Sequence, residues 1–166
     1  MFFVHHNPTG WSFGGVVAFE VARVLRARSF SVKGVVLIDS PSPLVCAELN
    51  TDIIDYVLRN AKSIDPEFWE LCKSQFSTNS KLLSEYQPSI SKLDGPIIPI
   101  VFLRSIDGFN PPHLAVPAWL ADRKDTESIV SGWDALSGSP VCTIDIPGNH
   151  FQPFDSEIAS SFFLFL

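Results

Sequence analysis

Residues 10–25 read Gly10-Trp11-Ser12-Phe13-Gly14-Gly15-Val16-Val17-Ala18-Phe19-Glu20-Val21-Ala22-Arg23-Val24-Leu25. The first five fit Gly-x-Ser-x-Gly, the pattern of a tight strand-to-helix turn that strains a serine and exposes its hydroxyl. A β-carbon on either flanking glycine, Gly10 or Gly14, is expected to collide with the neighbouring strand or the following helix. The pattern alone is weak. It gains weight from the text after it, where apolar residues recur at helical spacing from about residue 14 to residue 28.

Outward from this turn, Lys33-Gly34-Val35-Val36-Leu37-Ile38-Asp39 is a short apolar run ending in an acid. Apolar side chains on both faces are what a buried parallel strand needs. Ser40-Pro41-Ser42-Pro43 stops it, and residues 44–94 then change character, with no strand pattern. Thr51-Asp52 caps a helix to about Lys62, Asp65-Pro66 starts a second, and a third short helix is expected around Ser80 to Tyr86. Strand character returns at Pro96 to Arg104, followed by a loop from Ser105 to Pro117. A helix near Thr126 to Leu136, a last strand from Val141 to Ile146, and a terminal helix from Asp155 complete the order. Such alternation predicts an α/β fold with a parallel sheet, residues 44–94 forming a helical cap above the strand ends.

The 166 residues suffice for one domain with a real core, 46% hydrophobic and 18% charged. A formal charge of -6 offers no basic surface for nucleic acid, and no cationic run suggests an anionic membrane. Cys46, Cys72 and Cys142 are odd in number and widely spaced. They fit reduced thiols in an intracellular, cytoplasmic setting better than a disulfide framework, and they imply no metal site.

In open α/β sheets, sites form beyond the carboxyl ends of strands. Ser12, Asp39 and His150 all fall at such ends. A serine hydroxyl needs a base to take its proton, and histidine held by a carboxylate supplies one. In α/β-hydrolases the chain order is Ser, then Asp or Glu, then His. His5 and His6 precede the elbow, and His113 lies in the proline-rich stretch Asn110-Pro111-Pro112-His113. His150 follows a strand in a Pro-Gly-Asn turn and is the candidate base. For the acid, Asp39 and Asp107 both stand just past strands and geometry favours neither; Asp145, inside the last strand, suits an edge or turn role.

The run from Gly10-Trp11-Ser12-Phe13-Gly14-Gly15 through Ala18-Phe19-Glu20-Val21-Ala22 to Leu37-Ile38-Asp39-Ser40-Pro41 resembles the thioesterase domain of fungal polyketide synthases. So do Ile146-Pro147-Gly148-Asn149-His150-Phe151, Trp119-Leu120-Ala121-Asp122-Arg123 and Gly132-Trp133. The resemblance implies an α/β-hydrolase core with a helical lid at residues 44–94, and it puts the triad acid at Asp39. It implies Ser12 as nucleophile, His150 as base and the backbone N–H of Phe13 as one oxyanion donor. The Phe13 side chain would line an acyl pocket with lid residues Phe68 and Trp69.

The implied substrate is a polyketide acyl chain borne on the phosphopantetheine of an acyl carrier domain, with no cofactor bound by this domain. Release would occur by hydrolysis, lactonisation or Claisen cyclisation. A complete thioesterase carries several strands ahead of the elbow, with the loop that supplies a second oxyanion donor. The expectation is therefore one partial domain over residues 1–166, truncated at the N-terminus and clipped at the C-terminus. A stand-alone editing thioesterase, a carboxylesterase and a non-catalytic synthase fragment are the alternative readings.

Overall fold

Among the described residues four short strands run parallel in the spatial order β1-β2-β3-β4: β1 is Thr9–Trp11, β2 Val35–Ile38, β3 Ile100–Ser105 and β4 Cys142–Ile146. The computed structural model describes residues 6–44, 49–60, 65–88, 97–124, 126–155 and 158–159. Helices α1 (Phe13–Ala27), α2 (Thr51–Asn60) and α3 (Pro66–Glu85) precede β3. The four-residue α4 (Ala118–Ala121) and α5 (Thr126–Ser137) follow it. The alternation legible in the sequence is thus the architecture, an α/β fold on a wholly parallel sheet.

Helices α1 and α5 cover one face. Val16, Phe19 and Ala22 of α1 pack on Val35, Leu37, Ile100 and Phe102, together with Trp133 of α5. Phe19 and Trp133 meet edge to face at 5.4 Å, an arrangement aromatic quadrupoles favour. The other face gathers Ile38, Leu103 and Ile146 with Trp11, Val36 and Val101.

Asn7-Pro8 leads directly into β1. Proline has no N–H to give a ladder, but its carbonyl remains an acceptor, and Val36 N–H donates to Pro8 O at 3.0 Å. Upstream, His6 N–H donates to Ser31 O at 3.0 Å and bridges to Val32.

Residues 44–94 fall between β2 and β3, and their described elements are helical. The cap of α2 is Asn50, whose Oδ1 accepts from Ile53 N–H at 2.9 Å, one residue ahead of the expected Thr51-Asp52. Asp65 caps α3 through Glu67 N–H at 2.8 Å, with Pro66 in the first turn. From there α3 runs unbroken for 20 residues, so the expected separate helix at Ser80 to Tyr86 is its last turn and a half. The run Ser77-Thr78-Asn79-Ser80 has poor helix propensity, a cost of only about 0.5 kcal/mol per residue. No glycine or proline interrupts it before Pro88, and Leu83 and Tyr86 gain contact with the core. The expected end of α2 at Lys62, the strand start at Pro96, Cys46, His5 and most of the terminal helix lie outside the described residues.

Candidate active site

Ser12 links β1 to α1 at φ 52° and ψ −126°, a backbone conformation L-residues rarely adopt and one costing on the order of 1–3 kcal/mol. Three hydrogen bonds hold it there. Ser12 N–H donates to Ile38 O (3.1 Å), Gly15 N–H donates to Ser12 O (3.0 Å), and the Ser40 hydroxyl donates to Ser12 O (2.6 Å).

The glycines divide differently from the sequence expectation. A β-carbon on Gly10 would lie 2.0 Å from Gly14 O, and one on Gly15 would lie 2.4 Å from Ser40 Cβ. One on Gly14 would meet nothing within 4 Å. The steric need for glycine thus falls on Gly10 and Gly15. Gly14 instead faces the open cavity described below.

His150 is 1% exposed and its ring bridges the two other candidates. Its Nε2 stands 2.9 Å from Ser12 Oγ, and its Nδ1 2.9 Å from Asp39 Oδ2. A carboxylate only accepts, so Nδ1 carries the proton and Nε2 is left to accept from the serine hydroxyl. Rings fix the imidazole plane: Trp11 at 5.5 Å, Trp119 at 5.1 Å and Phe151 at 4.9 Å. Trp11 Nε1–H also donates to His150 O at 2.9 Å, tying the elbow to the histidine loop.

Asp39 ends β2 at φ 44°, a left-handed conformation that aspartate tolerates better than most residues. Its N–H donates to Leu103 O at 2.8 Å. Its Oδ1 accepts from Ser105 N–H at 3.0 Å and from Arg123 Nη2–H, so a buried ion pair backs the acid. In the sequence Arg123 stands at the end of the Trp119–Arg123 stretch with no sign of a role. An arginine just beyond a four-residue helix carries no local mark of what it reaches.

The other candidates stand elsewhere. Asp107 is exposed, and its carboxylate accepts from Gly148 N–H at 3.0 Å, clipping the loop that carries His150. Asp145 pairs with Arg104 through two 2.7 Å hydrogen bonds. His113 is exposed at φ 62°, and His6 lies beside Phe30 at 6.1 Å between ring centroids.

A cavity of about 340 Å³ opens over Ser12. Phe13, Gly14 and Pro41 form its floor, and α3 forms a wall through Phe68, Leu71, Cys72, Phe76 and Leu83, with Gln75 and Asn79 as polar points. Of the two lid aromatics, Phe68 lines this cavity and Trp69 does not. Successive helical residues point about 100° apart, which turns Trp69 away from the cavity. Its ring lies under Lys73 Nζ at 5.0 Å, while Lys73 also pairs with Asp55 of α2 at 2.9 Å. The N–H of Phe13 is in the first turn of α1, where backbone donors lack an intrahelical acceptor and face developing negative charge favourably.

At its far end α3 is tied to α1. The Tyr86 hydroxyl donates to Glu20 Oε2 at 2.7 Å, and Glu20 pairs with Arg23. Burial first, then the hydrogen bond and charge of Glu20, push the Tyr86 hydroxyl up to about 12. Among the described residues no three or more His, Cys, Asp or Glu side chains group as metal ligands, and no helix is long and apolar enough to cross a membrane.

The family model for the thioesterase domain matches residues 8–163. An orsellinic acid synthase of Beauveria bassiana is 37% identical over 179 residues, covering 89% of this chain and 8% of the synthase. The thioesterase AMT4 of Alternaria alternata is 26% identical, covering 89% of this chain and 54% of that protein. The chain therefore spans a small part of the synthase and about half of the separate thioesterase. Among solved structures, the Vlm2 thioesterase domain bound with a dodecadepsipeptide superposes with a TM-score of 0.64 at 18% identity, over 95% of this chain and 66% of that one. The fold is that of the α/β-hydrolase thioesterase domains.

Proposed function

The chain belongs to the thioesterase domain family, and from that premise we propose that it releases a polyketide acyl chain from an acyl carrier domain through an acyl-serine intermediate. The observation that carries this reading is the hydrogen-bonded line from Ser12 Oγ through His150 to Asp39, opening on an apolar cavity. Ser12 is the nucleophile, His150 the base and Asp39 the acid. The orsellinic acid synthase similarity favours an aromatic acyl group on a carrier phosphopantetheine, and the apolar wall of α3 suits one.

In this mechanism Ser12 Oγ attacks the thioester carbonyl carbon as its proton passes to His150 Nε2. The oxyanion accepts a hydrogen bond from Phe13 N–H. Collapse breaks the C–S bond, and the imidazolium returns the proton to the departing pantetheine thiolate. His150 next takes a proton from water or a substrate hydroxyl as its oxygen attacks the acyl carbon; the bond from that carbon to Ser12 Oγ breaks and the imidazolium returns the proton to Oγ, giving a free acid, or a lactone or ester. A substrate carbanion attacking instead closes a Claisen ring. Asp39 holds the Nδ1 proton and stabilises the imidazolium in both halves. Residues 44–94 act as the lid over the acyl group, and no bound cofactor is required.

Labelling the purified protein with a fluorophosphonate probe tests the reading. Mass spectrometry should find the adduct on Ser12 and none in Ser12→Ala, and an N-acetylcysteamine thioester of an aromatic acid should be hydrolysed in step. An adduct elsewhere with Ser12 untouched overturns it. The similarity to AMT4 favours a second reading, a separate thioesterase serving another protein's carrier. An acyl carrier sequence encoded in frame upstream of this chain would decide against that second reading.

A further inference from the structure

Arg123 and Asp39 form an ion pair whose side chains are 3% and 1% exposed. Burying two charges costs several kcal/mol per ion unless the remaining donors and acceptors are also satisfied. Here they are. Arg123 Nε–H donates to Ser105 O at 2.9 Å, Nη1–H to Trp119 O at 2.7 Å, and Nη2–H to Asp39 Oδ1. Asp39 Oδ1 takes a second hydrogen bond from Ser105 N–H at 3.0 Å. One carboxylate oxygen therefore carries two donors, and the other is left for His150 Nδ1.

We infer that Arg123 is a positioning residue for the reaction proposed above, fixing the Asp39 carboxylate so that Oδ2 stays aimed at His150. The inference rests on the thioesterase reading. A carboxylate swings easily about its last torsion, and a swing here would break the line to Ser12. The guanidinium prevents it by spanning three acceptors on three elements: the end of β2, the end of β3 and α4. Through Trp119 it also sets the ring that packs edge-on against the imidazole. Lysine, with a compact ammonium on a flexible stem, cannot span those acceptors at once.

The test is a double-mutant cycle on the purified full chain, read by kcat and KM on the aromatic model thioester and by the rate of Ser12 labelling. Arg123→Met should lower kcat and the labelling rate by roughly 10²-fold, as misplacement of a catalytic group does, and leave KM within about twofold. In an Asp39→Asn background the same change should slow labelling by less than about twofold, because the residue acts through the carboxylate already removed. The double variant leaves no unpaired buried charge, whereas each single variant does, so circular dichroism first checks that both singles are folded before the rates are compared. Should Arg123→Met not fold, Arg123→Lys takes its place, with the same loss expected.

Equal slowing in the wild-type and Asp39→Asn backgrounds overturns the inference and makes Arg123 a structural residue only. So does a folded Arg123→Met or Arg123→Lys protein with wild-type kcat. Wild-type protein that fails to label at Ser12 overturns the thioesterase reading itself, a separate result.

Discussion

Behind His150, Asp39, Ser105 and Arg123 are each 6% exposed or less; in front of Ser12, Phe68 and Leu71 are each 55% exposed. The first region is polar, and each nitrogen of its guanidinium and each oxygen of its acid makes a directed hydrogen bond. The second is apolar and open, with few polar points. The contrast follows from what each must do. On the proposed reading, proton transfer depends on distances and angles, so its groups are held by directional bonds. Acyl recognition by apolar area is non-directional and tolerates an open wall.

The sharpest way to break this comparison is Asp39→Asn, with Asp107→Asn beside it. An amide favours the wrong imidazole tautomer, and the serine-protease precedent gives a loss of about 10⁴ in kcat. Asp107 only clips the histidine loop, so its variant should lose at most about tenfold, on the order of one hydrogen bond. Thioester hydrolysis by the two folded variants checks the ranking, and its reversal would move the acid.

Next in size is a pair of glycine substitutions at the border between the regions. Gly10→Ala forces a β-carbon to 2.0 Å from Gly14 O and should cost about 4 kcal/mol or more, or prevent folding. Gly14→Ala points into open space, so its stability should change by less than about 1 kcal/mol. Its effect should appear in KM, because the new methyl enters the cavity. Urea denaturation of both variants, with KM for the second, decides it.

On the open side, Phe68→Ala should raise KM about five- to tenfold with kcat retained, since a half-exposed ring supplies only part of the ~1.5–3 kcal/mol of a fully buried one. Trp69→Ala, off the cavity, should leave KM within about twofold. Equal effects would mean that α3 presents another face to the substrate.

The smallest expected effect concerns the tie between α3 and α1. Tyr86→Phe removes one hydrogen bond to Glu20 and should cost about 1 kcal/mol. The folded-state pKa of about 12 lies above the ordinary 10.0. Its stabilisation is therefore complete below pH 10 and lost as pH rises through about 12, where the unfolded chain has released a proton the folded chain keeps. Urea melts across that window should fall more steeply for wild type than for Tyr86→Phe, and parallel curves would discard the tie.

The sequence by itself determined what is local. The elbow and its helix, the parallel strands, and the order Ser12, Asp39, His150 at strand ends follow from short-range pattern and chain order. Asp65-Pro66 marked a helix start for the same reason. What only the tertiary structure decided involves partners distant in the chain. Local pattern left Asp39 and Asp107 open and only the family resemblance pointed to Asp39; the register of β2 on β3 and β3 on β4 is what brings it, 111 positions from His150, to 2.9 Å. Gly15 rather than Gly14 is sterically required because Ser40, from the end of β2, packs against the first turn of α1. Arg123 reaches Asp39 across 84 positions, and a buried guanidinium's partners are set by whatever acceptors the packed chain presents to it. Local propensity carries no record of such acceptors, because they exist only once the strands have stacked.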